Sequence, residues 1–310
     1  PMAYDNDTKL TNETFLSYLE TPGMEKRALD AVVDYTRYRM REEGFYRRVL
    51  PPIQVSNDDL DQQVDTDKPV KIIEREPDSP AAISIPFNTL PMNLYVRGQK
   101  YRVTFDRIVT PRFTKDVDEL RTYRMDIRQI LSDNAIKDML AEEDRKFIEA
   151  CNAAMGGAAN ATVTQSGLVQ WETIYGGITR DTLQDAFKIL PRTISRLEVG
   201  TCLINNLTIR ELMKFGREEM GGDFSQDVFK NGWTEQNFMN ARWIISIKQD
   251  LVPTDSIFMF ADPKFVGKNF ILEDTTLYID RKAYMLEFFA YETLGGSIGN
   301  TNAIARADFA

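Results

Sequence analysis

Residues 100–115 read KYRVTFDRIVTPRFTK, and the two periodicities in this run set the reading of everything around it. Tyr101, Val103 and Phe105 alternate with Arg102, Thr104 and Asp106, the pattern of a half-buried strand running to about Thr110. Pro111 ends it. Thr114 is placed to cap a helix whose first turn carries Asp116, Asp118 and Glu119, favourable against the helix dipole. Its apolar positions are Val117, Leu120, Ile127 and Leu131, and a second helical stretch follows from about Asp133 to Met155. One continuous helix over this region would be about 60 Å long at 1.5 Å per residue, too long for a compact domain, so a break is expected near Ser132–Asn134.

Upstream, Pro69, Pro77, Pro80, Pro86 and Pro91 interrupt the β-like runs Val70–Ile73, Ala82–Ile85 and Leu94–Val96. Each proline removes a ladder donor, so the segment reads as an extended hairpin projecting from a core, its edges open to another chain. Residues 1–23 are polar. Met24–Glu43 has helical spacing of Ala28, Ala31, Val32, Tyr35 and Tyr38, stopped by Gly44 and Pro51-Pro52. Arg37, Arg39 and Arg41 belong to a mixed-charge run that reads as a solvated, salt-bridged helix. Asp58, Asp59, Asp61, Asp65 and Asp67 lack the turn glycine and closing glutamate of a calcium loop and read as an exposed acidic loop.

Downstream, the stretch from Gly156 through Gly177 reads as a loop. Thr179–Leu190 is a helix stopped by Pro191, Cys202–Ile204 a buried strand, and Thr208–Met220 a capped helix ended by Gly221-Gly222. Strand-like runs follow at Trp243–Ile247, Ile257–Phe260, Asn269–Leu272, Leu277–Ile279 and Tyr284–Tyr291. The class is α+β, with helices covering one side of a mixed, mostly antiparallel sheet.

The chain has 310 residues, with 38 Lys and Arg against 47 Asp and Glu, a net charge of −9 that argues against a sequence-specific DNA reader. It contains no histidine, which removes the commonest general base, the Ser-His-Asp and Cys-His devices and most zinc sites. Cys151 and Cys202 lie in apolar surroundings and read as buried thiols of a reducing compartment. The longest apolar run, Ile257–Ala261, is far short of a membrane span, and Pro1–Leu10 has no signal pattern, so a soluble, unsecreted chain is expected.

Gly295-Gly296-Ser297-Ile298-Gly299 matches a nucleophile elbow, but without histidine or a following helix it reads as a glycine-rich turn between strands. Glu142, Glu143 and Asp144 are the densest helical carboxylates. Adjacent helical residues point about 100° apart and cannot face each other across a substrate, so they read as a solvated face. A carboxylate-based hydrolase using Glu142, Glu143 or Glu172 is the rival reading from the enzyme class. Trp171, Trp233 and Trp243 are scattered and read as packing residues. No phosphate loop or dinucleotide fingerprint occurs, and no cofactor or metal is expected.

The order of elements resembles the major capsid protein of tailed double-stranded DNA bacteriophages, with the Hong Kong 97-type capsid fold. The resemblance rests on the run Lys100–Lys115, the long helix through Glu142-Glu143-Asp144, and Leu251-Val252-Pro253 before Ile257–Phe260 and Ala261-Asp262-Pro263. The closing stretches Glu287–Tyr291 and Asn302–Arg306 complete it. It implies an N-terminal arm at 1–63, an extended β-hairpin loop lying over a neighbour at 64–99, and an axial domain at 181–290. Residues 100–180 and 291–310 would form a peripheral domain with a long spine helix.

Contacts between subunits are then expected at Arg37, Arg39, Arg41, Phe87, Leu94, Tyr95, Arg97 and Lys100. The implied function is structural rather than enzymatic: hexamers and pentamers closing an icosahedral shell around packaged double-stranded DNA, which the protein touches only non-specifically. Implied partners are further copies of the chain, with scaffolding, portal and decoration proteins; no membrane is involved. The implied location is the virion, after assembly in the bacterial host cytoplasm. An encapsulin-like bacterial compartment is the rival of the same fold.

Overall fold

The computed structural model describes residues 44–62, 64–77, 82–93, 95–122, 127–156, 170–212 and 235–310. The expected helix Met24–Glu43, Trp233, and the part of Thr208–Met220 beyond residue 212 lie outside them.

Phe105 is the point at which the chain changes sheets. The strand expected to run to Thr110 is two strands, β3 (Gln99–Thr104) and β4 (Asp106–Val109). β3 pairs antiparallel with β2 (Val70–Arg75), which follows α1 (Phe45–Val49) and β1 (Pro52–Gln54) in the chain. β4 joins a different sheet, and the buried Phe105 ring sits at the switch beside Val55, Val103 and Phe270. The alternation is as read: Val103 and Phe105 are buried, Arg102 and Asp106 exposed.

Thr114 does not cap a helix. It lies in β5 (Phe113–Asp116), opposite Glu287, and α2 (Val117–Thr122) starts two residues later than expected. There the Asp116 carboxylate accepts from the Asp118 amide at 2.8 Å, satisfying one of the orphan donors of the first turn. The break expected near Ser132–Asn134 is absent as well: α3 (Ile127–Met155) runs unbroken for 29 residues, about 43 Å at 1.5 Å per residue. Tertiary burial overrides the weak helix propensity of the Ser-Asp-Asn triplet. Ala135 and Met139 pack on one core, and Phe147, Ile148, Cys151 and Met155 on another, so a single rod serves both.

The remaining elements are β6 (Trp171–Ile174), α4 (Arg180–Phe187), α5 (Ile189–Arg192), β7 (Thr201–Asn205), α6 (Ile209–Leu212), β8 (Glu235–Phe238), β9 (Ala241–Ser246), β10 (Ser256–Phe260), α7 (Pro263–Val266), β11 (Gly267–Lys282), β12 (Met285–Ile298) and β13 (Ile304–Phe309). Thr179 caps α4 by accepting from the Thr182 amide; Pro191 falls inside α5 rather than ending the preceding helix.

One sheet has the order β1-β11-β12-β4, with β5 also on β12. Its centre is the long β11–β12 hairpin, whose inner face carries Leu277, Ile279, Leu286, Phe288 and Ala290 against α3. The other sheet has the order β6-β13-β10-β7-β9-β8 and is mixed, with β6–β13 and β7–β9 parallel. β7 and β10 are buried at every position, the mark of strands covered on both faces. α1 and α3 lie on one side and α4 and α5 on the other, so helices do not cover one side only, as expected.

This grouping also differs from the sequence division at residue 290. The whole hairpin 267–298 belongs with β4, β5 and α3, whereas β13 and β6 pair with each other in the second sheet. Backbone pairing decides membership, and hydrophobic patterning carries no information about which strand is the partner.

Gly295 and Gly296 lie within β12, not in a turn. A Cβ on Gly296 would stand 2.1 Å from the Tyr46 hydroxyl, and one on Gly295 would stand 3.1 Å from the Phe105 ring. Bare backbone here lets Tyr46 pack flat on the strand. Gly296→Ala should therefore cost about 1–3 kcal/mol, as overpacked interiors do. Tyr46→Phe in the same chain should recover part of that loss, which urea midpoints of the two single variants and the double variant will measure.

Candidate inter-subunit interface and its anchor

The proline-rich segment separates into a braced root and a bare tip. At the root, six residue pairs from Val70↔Thr104 to Arg75↔Gln99 form the β2–β3 ladder. Under it, Val55, Val103, Phe105 and Phe270 form a small core that Ile73 and Tyr101 extend. Exposed ion pairs flank it: Lys100–Glu74 at 2.9 Å, Lys68–Asp106 at 2.9 Å and Arg102–Asp65 at 2.8 Å. Each contributes at most a fraction of a kcal/mol. The acidic loop before β2 is spent on local bonds: Asp59 accepts from the Ser56 amide, and Asp61 from the Ile72 amide.

Beyond Arg75 the ladder stops, and the runs expected as strands at Ala82–Ile85 and Leu94–Val96 are not strands at their described positions. Pro86 and Pro91 break the donor series. Asn88 turns the chain at φ 66°, a left-handed conformation asparagine tolerates. Ile83, Phe87, Leu90, Met92 and Tyr95 are all exposed, Phe87 at 101 % and Tyr95 at 87 %. So many large apolar groups on one short loop, with nothing of the same chain over them, make a contact surface.

Of the contact residues expected from sequence, Phe87, Tyr95 and Arg97 lie together on this tip, the Arg97 guanidinium 6.0 Å from the centre of the Tyr95 ring. Lys100 is at the root, committed to Glu74. Arg37, Arg39, Arg41 and Leu94 lie outside the described residues.

The tip is held to the body by a group that sequence reading places wrongly. Glu143 and Asp144 are not a solvated face; they are 2 % and 0 % exposed. Glu143 receives both arms of Arg47, Nε to Oε2 and Nη2 to Oε1, each at 2.9 Å. Arg47 Nη2 also donates to Glu292 Oε2 at 3.0 Å, and Nη1 stands 3.8 Å from Asp274. Asp144 accepts from the Tyr46 amide at 2.9 Å and from Lys248 Nζ at 2.6 Å. Burial pushes the Asp144 carboxyl up, and the Lys248 ammonium opposes that shift. For Arg47, burial disfavours the charge, but Glu143, Glu292 and Asp274 together hold the guanidinium above its ordinary value.

The missed signal is positional. Glu143 and Asp144 fall between Met139-Leu140 and Phe147-Ile148 in the buried stripe of α3, and Glu292 between Ala290 and Leu294 in the buried alternation of β12. A carboxylate at a core position announces a buried cation, here Arg47.

The three hydrolase candidates are not brought together. Glu142 pairs with Arg145, which also pairs with Glu149; Glu143 borders a cavity of about 180 Å³ beside Tyr46, Lys146 and Ser297, but both its oxygens are held by Arg47. Glu172 is on β6 in the other sheet, facing Arg192 at 3.9 Å. Cys151 and Cys202 are buried free thiols, both pushed up by burial.

No protein-family model and no curated protein sequence matches the chain. Solved structures do match it. The mature capsid of bacteriophage PhiM1 aligns with TM-score 0.59 at 10% identity, over 86% of this chain and 87% of that one. The capsid of cyanophage P-SCSP1u aligns with TM-score 0.55 at 12% identity, over 80% and 85%. A virus-like particle from Pyrococcus furiosus aligns with TM-score 0.53 at 11% identity, over 90% and 99%.

The chain has the Hong Kong 97-type capsid fold.

In that fold's terms, α3 is the spine helix and the segment between β2 and β3 is the extended loop. Arg47 is the rivet that joins the spine helix to α1 and to the long hairpin. Arg47→Met should destabilise the chain by about 3–5 kcal/mol, because it strands Glu143 and Glu292 without a counter-ion in the interior. Arg47→Lys should recover only part of the loss, since an ammonium cannot make the two-armed contact. Chemical denaturation of the two variants checks both statements.

Proposed function

We propose that this protein is a shell-forming capsid subunit whose extended loop clasps neighbouring copies. The carrying observation is the bare tip of that loop, with Phe87 and Tyr95 almost wholly exposed on a capsid fold. Apolar groups presented in this way gain burial only from another surface, and many such contacts in a closed assembly add through multivalency. The assembly is a closed shell of hexamers and pentamers, and the role is structural rather than catalytic.

The contents are double-stranded DNA. A chain of net charge −9 offers few phosphate contacts and leaves packaged DNA free to move. Scaffolding, portal and decoration proteins complete the assembly in a bacterial host's cytoplasm, and the product is the virion. A second reading, a protein-filled compartment of the encapsulin kind, is favoured by the similarity to the Pyrococcus furiosus particle, which spans nearly all of that chain. Shells purified from the native source decide between them: nuclease-protected DNA supports the virion, and a single enclosed enzyme supports the compartment.

Negative-stain microscopy of the expressed chain, alone and with coexpressed neighbouring genes, should reveal closed shells; a monomer under every condition would sink the proposal. A second variant replaces residues 77–97 by a two-residue Asn-Gly turn and keeps the β2–β3 ladder, including Lys100. It should stay folded and fail to close shells. A variant that no longer folds would make the loop part of the core instead.

A further inference from the structure

Two buried carboxylates and one partly buried carboxylate surround the single Arg47 guanidinium, and their hydrogen bonds do not close without a proton. Glu292 Oε2 is well supplied, accepting from Arg47 Nη2 at 3.0 Å and from Thr275 Oγ1 at 3.1 Å. Glu292 Oε1 is buried with no donor. An ionised carboxylate oxygen left bare in the interior costs several kcal/mol, whereas a protonated one becomes a donor and needs only an acceptor. The acceptor at hand is Glu143, which shares Arg47 Nη2 with Glu292.

The groups facing Glu292 are Arg47 from α1, Glu143 from α3, and Asp274 and Thr275 from β11. On β4, Arg107 is turned to the opposite face of the sheet, over Tyr291 and 3.8 Å from Glu273, and does not supply the missing charge. Lys248 is likewise committed, to Asp144.

We propose that Glu292 is carried protonated in the folded chain, donating from Oε1 to Glu143, and that loss of this proton in alkaline solution unfastens α1 from the spine helix and the long hairpin. The fastening is a proton-sensitive latch. Burial first, then the charge of Glu143, push the Glu292 carboxyl up to about 9. The sign follows directly. The folded state keeps a proton that the unfolded chain releases near the ordinary glutamate value, about 4.3. Stability from the latch is therefore full below that value, falls as pH rises, and is lost as pH passes the folded value.

The test uses the full chain and Glu292→Gln, whose amide imitates the protonated acid and donates to Glu143 without a titration. Between pH 6 and 9 the folding equilibrium constant of the wild type should fall by up to tenfold per pH unit relative to that of Glu292→Gln. Amide hydrogen exchange of residues 45–50, corrected for intrinsic rate, should accelerate over the same range in the wild type alone. Should the variant fail to fold, carbon-13 titration of the wild-type Glu292 carboxyl gives the answer by itself. A midpoint in the ordinary glutamate range, or identical pH slopes in the two proteins, overturns the latch.

Discussion

One guanidinium ties together segments that lie 96 and 245 residues apart. Arg47 reaches its partners from a helix of five residues, too short to be stable by itself, so α1 exists because its side chains are fixed from outside. Phe45, Tyr46 and Val49 pack on the core that α3 shares with the second sheet, and Arg47 points the other way, into the junction of α3 with the hairpin. The Tyr46 amide closes the arrangement on Asp144, giving a helix N-terminal region a carboxylate acceptor. Gly44 follows from the same approach: a Cβ there would stand 2.9 Å from Leu140.

A buried ion pair is a poor source of net stability, since desolvation consumes most of its attraction. What it supplies is position. An apolar side chain at 143 could slide along the hairpin with little penalty; a two-armed Arg–Glu contact fixes rotation and depth of α3 at once. That matters because α3 serves two cores, with Met139 in one and Phe147 in the other. A rod spanning two cores transmits any error at one end to the other, and the rivet lies between them.

Much of this was legible in the sequence. The alternation through Tyr101, Val103 and Phe105, the proline-broken loop, the buried thiols and the α+β class follow from periodicity and turn chemistry, which are local. Failures fall where a distant partner decides. Thr114 is an adequate cap by composition, but β12 claims it as a strand residue opposite Glu287. Ser132–Asn134 reads as a break, but packing carries the helix through it. Glu143 and Asp144 read as solvated because charge usually means surface, although their place in the apolar stripe of α3 said otherwise. The strand read as ending at Tyr291 stopped one residue before Glu292, so the second half of the buried pair was never in view. Gly295 and Gly296 looked like a turn because their real neighbour, Tyr46, is some 250 residues away in sequence.

The extended loop obeys the opposite rule to the rivet. Its root is fixed by a six-pair ladder and a small core, and its tip by nothing within the described chain. Conformational entropy sets the consequence: ordering a backbone residue costs about 1–2 kcal/mol, which exposed Phe87, Leu90 and Tyr95 cannot repay until another surface covers them. The prolines reduce that cost before any contact forms, by restricting the unbound chain, and they also deny the tip a regular ladder of its own. A segment built in this way is inexpensive to order on a neighbour and unable to satisfy itself. The body needs the opposite property, since a subunit pulled from several sides must not let its helices shift, and the Arg47 junction meets that need at the one place where α1, the spine helix and the hairpin converge.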